Sequence, residues 1–234
     1  MNIKYFAMLI ISILCLTACS EKGNMDVAKA AAERKDYPAA IKEYTLLAED
    51  GDAEAQYQLG WLYFSTQATR SEYRAAYAQA VKWYRKAADQ GHMLAQLRLG
   101  QLYNQGLGVH EDHVKARYWY LKAADQGDVV SIGRLGDMYR YSSTGAKKDV
   151  IVALALFHIV MAKSGTSSEI EKTQSSDSYL SDIEKTQSSA RYGLEDLTAK
   201  MMSPDDVEAG NALADRMTAP GAVLSDVLAQ YLKQ

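Results

Sequence analysis

Few side chains in this sequence are of types that do chemistry, and their spacing argues against catalysis. The two cysteines are Cys15 and Cys19, so no thiol remains in the body of the chain. Of the histidines His92, His110, His113 and His158, only His110-Glu111-Asp112-His113 gathers potential metal ligands. It lacks the i, i+4 pair that places two imidazoles on one helix face, and we expect no metal there. His158 reads as a core or boundary residue. There is no Gly-x-Ser-x-Gly elbow and no phosphate loop, since Gly106-Leu107-Gly108 follows a helix and reads as a turn. The expectation is a protein that binds rather than one that catalyses, with no cofactor.

Cys19 is the exception. Lys4 gives a basic start and Tyr5 to Leu14 an apolar run too short to span a bilayer. Leu16-Thr17-Ala18-Cys19 then resembles the bacterial lipobox. The resemblance implies a signal peptide over 1–18, cleavage before Cys19, and diacylglycerol and palmitate-type acyl chains on that residue. At about 0.8 kcal/mol per buried CH₂, two or three chains anchor a protein stably. Ser20 rather than Asp at the next position implies, in the enterobacterial sorting scheme, the outer membrane. The body would face the periplasm of a Gram-negative bacterium, joined through a short lipidated spacer over 19–24. The alternative is a soluble secreted protein cut after Ala18.

Composition favours helix: there are only 3 prolines, and the 48% hydrophobic residues are enough for a core. The net charge of −3, about −4 once Lys4 is removed, excludes a nucleic-acid-binding footprint.

Internal repetition sets the architecture. Lys86-Ala87-Ala88-Asp89-Gln90-Gly91 recurs letter for letter at Lys122 to Gly127, 36 residues on, and Trp83-Tyr84, Leu99-Gly100 and Tyr103 keep that offset to Trp119-Tyr120, Leu135-Gly136 and Tyr139. An earlier copy at Leu59-Gly60 and Tyr63 lies 40 residues upstream. Ala40, Tyr44, Ala48, Gly51 repeats as Ala80, Tyr84, Ala88, Gly91 and as Ala116, Tyr120, Ala124, Gly127, one stripe of a helix closed by a left-handed glycine cap. The spacing predicts hairpins with first helices near 53–64, 92–104 and 128–141 and second helices near 74–89, 112–125 and 149–163, after an N-terminal pair at 25–34 and 37–49. Asp112 and Asp149 are placed to cap second helices.

The pattern Ala-x₃-Leu-Gly-x₂-Tyr, Gly106 to Val109, Asp112, Lys115-Ala116, Trp119-Tyr120 and Lys122-Ala123-Ala124 resembles the Sel-one-like repeat family, relatives of the tetratricopeptide repeat. The resemblance implies an all-α, right-handed α-α superhelical solenoid over 25–165, with repeats at about 25–51, 52–91, 92–127 and 128–165. It also implies a protein partner.

Ile170 to Ser176 reappears as Ile183 to Ser189. An offset of 13 rotates a helix by about 220°, so the copies would not share a face, and 166–189 reads as a duplicated Ser/Thr-rich linker. Residues 190–234 read as a C-terminal helical cap, with Ser203-Pro204-Asp205-Asp206 starting one of its helices.

In such a stack, first-helix residues off the packing ladder line the inner face. Three columns follow: Gln58, Arg98, Arg134; Trp61, Gln101, Asp137; and Phe64, Asn104, Arg140. With Tyr57 these supply the aromatic and arginine side chains that anchor interfaces. The expected function is a membrane-anchored periplasmic adaptor for one protein partner. The alternatives are an immunity protein that inhibits a secreted toxin and, from relatives whose paired cysteines are missing here, a cell-wall or β-lactam hydrolase. If the lipid signal operates, Cys19→Ala moves the protein from the membrane to the soluble fraction; a mature N-terminus whose mass shows an unmodified cysteine would reject it.

Overall fold

A computed structural model describes residues 22–65, 73–141, 147–163, 177–200 and 202–233. Cys19 and the first copy of the duplicated segment, Ile170 to Ser176, lie outside them. The described residues form helices α1 (Met25–Glu33), α2 (Tyr37–Glu49), α3 (Ala53–Ser65), α4 (Tyr73–Asp89), α5 (Met93–Gln105), α6 (His113–Asp125), α7 (Val129–Arg140), α8 (Lys147–Lys163), α9 (Asp177–Lys200), α10 (Pro204–Thr218) and α11 (Leu224–Lys233). Two compact units divide the chain, one up to Ala87 and one from Ala88.

Helix ends follow local chemistry. Asn24, Asp36, His92, Asp112, Asp128 and Ser203 each accept a backbone N–H of the first turn, and Asp206 completes a capping box with Ser203. Asp149, expected as a cap, falls inside the first turn of α8, which starts at Lys147. Gly51, Gly91 and Gly127 have φ of 99°, 92° and 92°. Gly127 N–H donates to Ala124 O (2.8 Å) and Asp128 N–H to Ala123 O (3.1 Å), a Schellman closure that reverses the chain into α7.

Within the first unit α1, α2 and α3 pack successively around Ala28, Ala40, Tyr44, Leu59 and Trp83. Burial, reinforced by Glu54 and Glu33, pushes the Tyr44 hydroxyl up to about 12, so it stays protonated. In the second unit α5 pairs with α6, α7 with α8, and α6 with α7. One contact recurs in the three hairpins from α3 to α8: a first-helix glycine receives the aromatic ring of the second helix. A Cβ on Gly60 would lie 2.7 Å from Tyr84 Cδ1, one on Gly100 2.7 Å from Tyr120 Cδ1, and one on Gly136 2.5 Å from Phe157 Cε1.

Residues 177–189, read as linker, are the first half of α9. Its inward stripe of Tyr179, Ile183, Thr186, Ala190 and Leu197 is buried, and Gly193 meets the other edge of Phe157, where a Cβ would lie 2.4 Å from Cε2. Thr, Ala and Gly make that stripe too weakly apolar to be recognised by hydropathy. Helix α10 packs on α8 with Gly210 against Leu154, and α11 returns to α6, where Ser225 N–H and Oγ–H donate to the Asp125 carboxylate at 2.9 and 2.7 Å.

Phe157 is thus held between two glycines and cannot withdraw. Gly136→Ala should destabilise the protein by about 1–3 kcal/mol, the usual cost of overpacking, with partial recovery in Gly136→Ala/Phe157→Leu; chemical denaturation monitored by circular dichroism measures both.

Candidate partner-binding face

In the second unit the chain's own α9 covers part of the face on which the column residues of α5 and α7 lie. Arg98 on α5 is buried: its Nη1 donates to Asp182 Oδ2 of α9 at 2.9 Å and to Gln101 Oε1 at 3.0 Å. Arg140 on α7 is equally covered, with Nη2 2.7 Å from Asp196 Oδ2 and the guanidinium 4.9 Å and 5.2 Å from the ring centres of Tyr141 and Tyr192. Ser189 Oγ donates to Asp137 Oδ1 at 3.3 Å. Asp182, Ser189 and Asp196 are seven residues apart, so they share one side of α9. Helix α9 runs in the same direction as α7, since Tyr179 meets Asp128 at the start of α7 and Asp196 meets Arg140 at its end.

Gly133 makes this possible. It stands at the repeat position of Tyr57 and Leu97, and the methyl of Thr186 fills the space: a Cβ there would lie 2.2 Å from Thr186 Cγ2. A glycine replacing two large apolar residues in one column was the signal for α9 in the sequence, and the columns alone did not convey it.

Arg98 and Arg140 are therefore corrected from free partner anchors to internal ion pairs. Tyr57 is also corrected: it is 6% exposed, packed on Tyr84 with ring centres 5.8 Å apart. Its neighbours in the first unit form an aromatic row in which Trp61 stacks on Phe64 (5.8 Å), Phe64 meets Tyr77 (5.5 Å) and Tyr77 stacks on Tyr73 (6.1 Å), while Gln58 donates to Glu54.

What α9 leaves open is a cavity of about 580 Å³ lined by Asn104, His113, Tyr120, Arg134, Asp137, Met138 and Tyr141. Of these, Asn104, Arg134 and Asp137 come from the predicted columns. Arg134 is 39% exposed and its Nη1 lies 4.0 Å from Asp137 Oδ2. The His113 ring has Asn104 Oδ1 at 3.1 Å and Glu111 Oε1 at 3.0 Å. Tyr141 is 70% exposed.

Two acids on this face are held out of water. Asp128 accepts from Ser131 N–H and the Tyr179 hydroxyl, yet burial raises its pKa against those hydrogen bonds and Arg98. Burial likewise raises Asp137, opposed by Arg134, Ser189 and Arg140. Among the described residues no group of three His, Cys, Asp or Glu could hold a metal, and Asp112 of the His110–His113 segment is occupied capping α6. His92 caps α5. His158 is half-buried beside Asn211, its pKa lowered by burial against Asn211 and Asp215.

The fold and this face define an all-helical stack of helical hairpins whose first helices carry the variable side chains. Residues 53–92, 94–128 and 130–159 each match the Sel1 repeat, so the chain carries three Sel1 repeats. A protective antigen present in uropathogenic Escherichia coli strains, itself displaying an SLR fold, aligns over 84% of this chain at 27% identity with a TM-score of 0.60; this chain spans 36% of that protein's length. A Sel1 repeat protein from Oxalobacter formigenes aligns at 24% identity over 75% of this chain and 77% of its own, with a TM-score of 0.44. No curated protein matches the chain.

Because burial raises Asp128, its contribution to stability is full below the ordinary carboxylate range and is lost as pH rises through the raised value. Asp128→Asn keeps the cap and the acceptor for Tyr179 without the charge. Its stability relative to wild type should rise between pH 4 and pH 8, as measured by urea unfolding; a constant difference would show that Asp128 is not a buried ionising group.

Proposed function

We propose that this protein is an outer-membrane lipoprotein facing the periplasm that binds a protein partner through the first-helix face of its second unit, acting as an adaptor rather than an enzyme. Sel1 repeats generally mediate protein interactions. The supporting observation specific to this chain is the open cavity between α5, α6 and α7. It adjoins a surface that already grips a helix through Arg98–Asp182 and Arg140–Asp196. An exposed arginine and an exposed tyrosine at its mouth are residue types enriched where binding energy concentrates. The lipid on Cys19 would tether the protein to the membrane, with the first helix, α1, beginning at Met25 shortly after the anchor.

No helix among the described residues is long and apolar enough to cross a membrane, so in this reading attachment rests on the lipid. Benzoyl-phenylalanine in place of Tyr141, photoactivated in intact cells, should give one dominant crosslinked protein, and the same group in place of Tyr118 on α6 should not. A captured secreted toxin would make the role inhibitory. Absence of any crosslink, together with turnover of wall fragments or a β-lactam by the purified protein, would overturn the reading.

A further inference from the structure

The surface itself shows what chemistry it takes. Two of its arginines, Arg98 and Arg140, are each held by an aspartate from a helix laid along it, at 2.9 and 2.7 Å. Arg134 occupies the same repeat position as Arg98, 36 residues later, and receives no acid from the described side chains of α9. Among the described residues its one acidic partner is Asp137 of its own helix, at 4.0 Å, beyond hydrogen-bond distance and a weak partner.

We infer that Arg134, with Asn104 and the mouth of the cavity between α5 and α7, is the docking socket for a carboxylate side chain on an acidic segment of the protein partner. The inference rests on the adaptor reading and names the chemistry of its partner.

Three features fit the socket to that ligand. Asn104 spends its carbonyl oxygen on His113, which leaves its amide N–H groups to donate. The guanidinium offers a fork that matches a carboxylate with two parallel hydrogen bonds, and the cavity has room for an acidic side chain beside it. Asp137, the one acid among the residues lining the cavity, has one oxygen committed to Ser189. Tyr141, 70% exposed beside Arg140, supplies an aromatic surface at the rim.

The test uses the mature, lipidated chain in detergent and fluorescein-labelled hexaglutamate, with hexaglutamine as control, followed by fluorescence anisotropy. Hexaglutamate should bind at least tenfold tighter than hexaglutamine and weaken with added salt. Arg134→Gln should lower its affinity at least tenfold without shifting the thermal midpoint, and Arg134→Lys should retain part of it. Arg216→Gln, which removes an equal charge from the exposed face of α10, should change nothing. Equal losses in both glutamine variants, equal binding of the two peptides, or displacement by equimolar inorganic phosphate would overturn the socket. Crosslinking at Tyr141 separates this from the adaptor reading: a partner captured equally well by Arg134→Gln overturns the acidic socket alone, and no captured partner together with hydrolytic turnover overturns the adaptor.

Discussion

Everything in this fold depends on an aromatic ring seated on a glycine. In the three hairpins from α3 to α8 the second helix presents Tyr84, Tyr120 or Phe157, and the first helix answers with Gly60, Gly100 or Gly136, where a Cβ would sit within 2.7 Å of the ring. A backbone without a side chain lets two helices approach closely, and the ring fills the volume that closeness creates. The cost of glycine within a helix, about 1 kcal/mol against alanine, is offset by the burial of a large aromatic side chain. The repeat is therefore a packing unit before it is a sequence unit.

The same device extends the stack beyond the residues that match the repeat. Phe157 uses both edges of its ring, one on Gly136 and the other on Gly193 of α9, and Leu154 sits against Gly210 of α10. Helices α9 and α10 thus pack on α7 and α8 by glycine contacts of the kind found within the repeats. The long α9 also reaches across the first-helix face, where Gly133 makes room for Thr186. One residue change in a repeat column converts an apolar packing position into a seat for another helix.

Covering that face has an electrostatic consequence. Arg98, with its side chain 8% exposed, and Arg140, at 6%, have given up water, and Asp182 and Asp196 compensate them. Pairs of this kind add little net stability compared with apolar packing, but losing one member leaves a buried charge, so they fix where α9 lies. Asp128, buried at the start of α7, ties α9 at one end through Tyr179, and Asp196 ties it at the other. Arg134 and the cavity beside it are the part of the face that α9 does not neutralise.

Periodicity by itself determined the repeats, the helix boundaries to within about two residues, the Gly51 and Gly127 turns and the Asp112 and Ser203 caps, because each depends on neighbours three or four positions away. It also marked Gln101 and Asp137, like Arg98 and Arg134, as equivalent positions of α5 and α7. Only the tertiary structure decided which column residues face solvent. Asp182 lies 84 residues from Arg98, and Asp196 lies 56 from Arg140. No local pattern links residues that far apart, and the first half of α9 was hidden by a stripe of Tyr, Ile, Thr and Ala in which shape, rather than hydropathy, carries the packing.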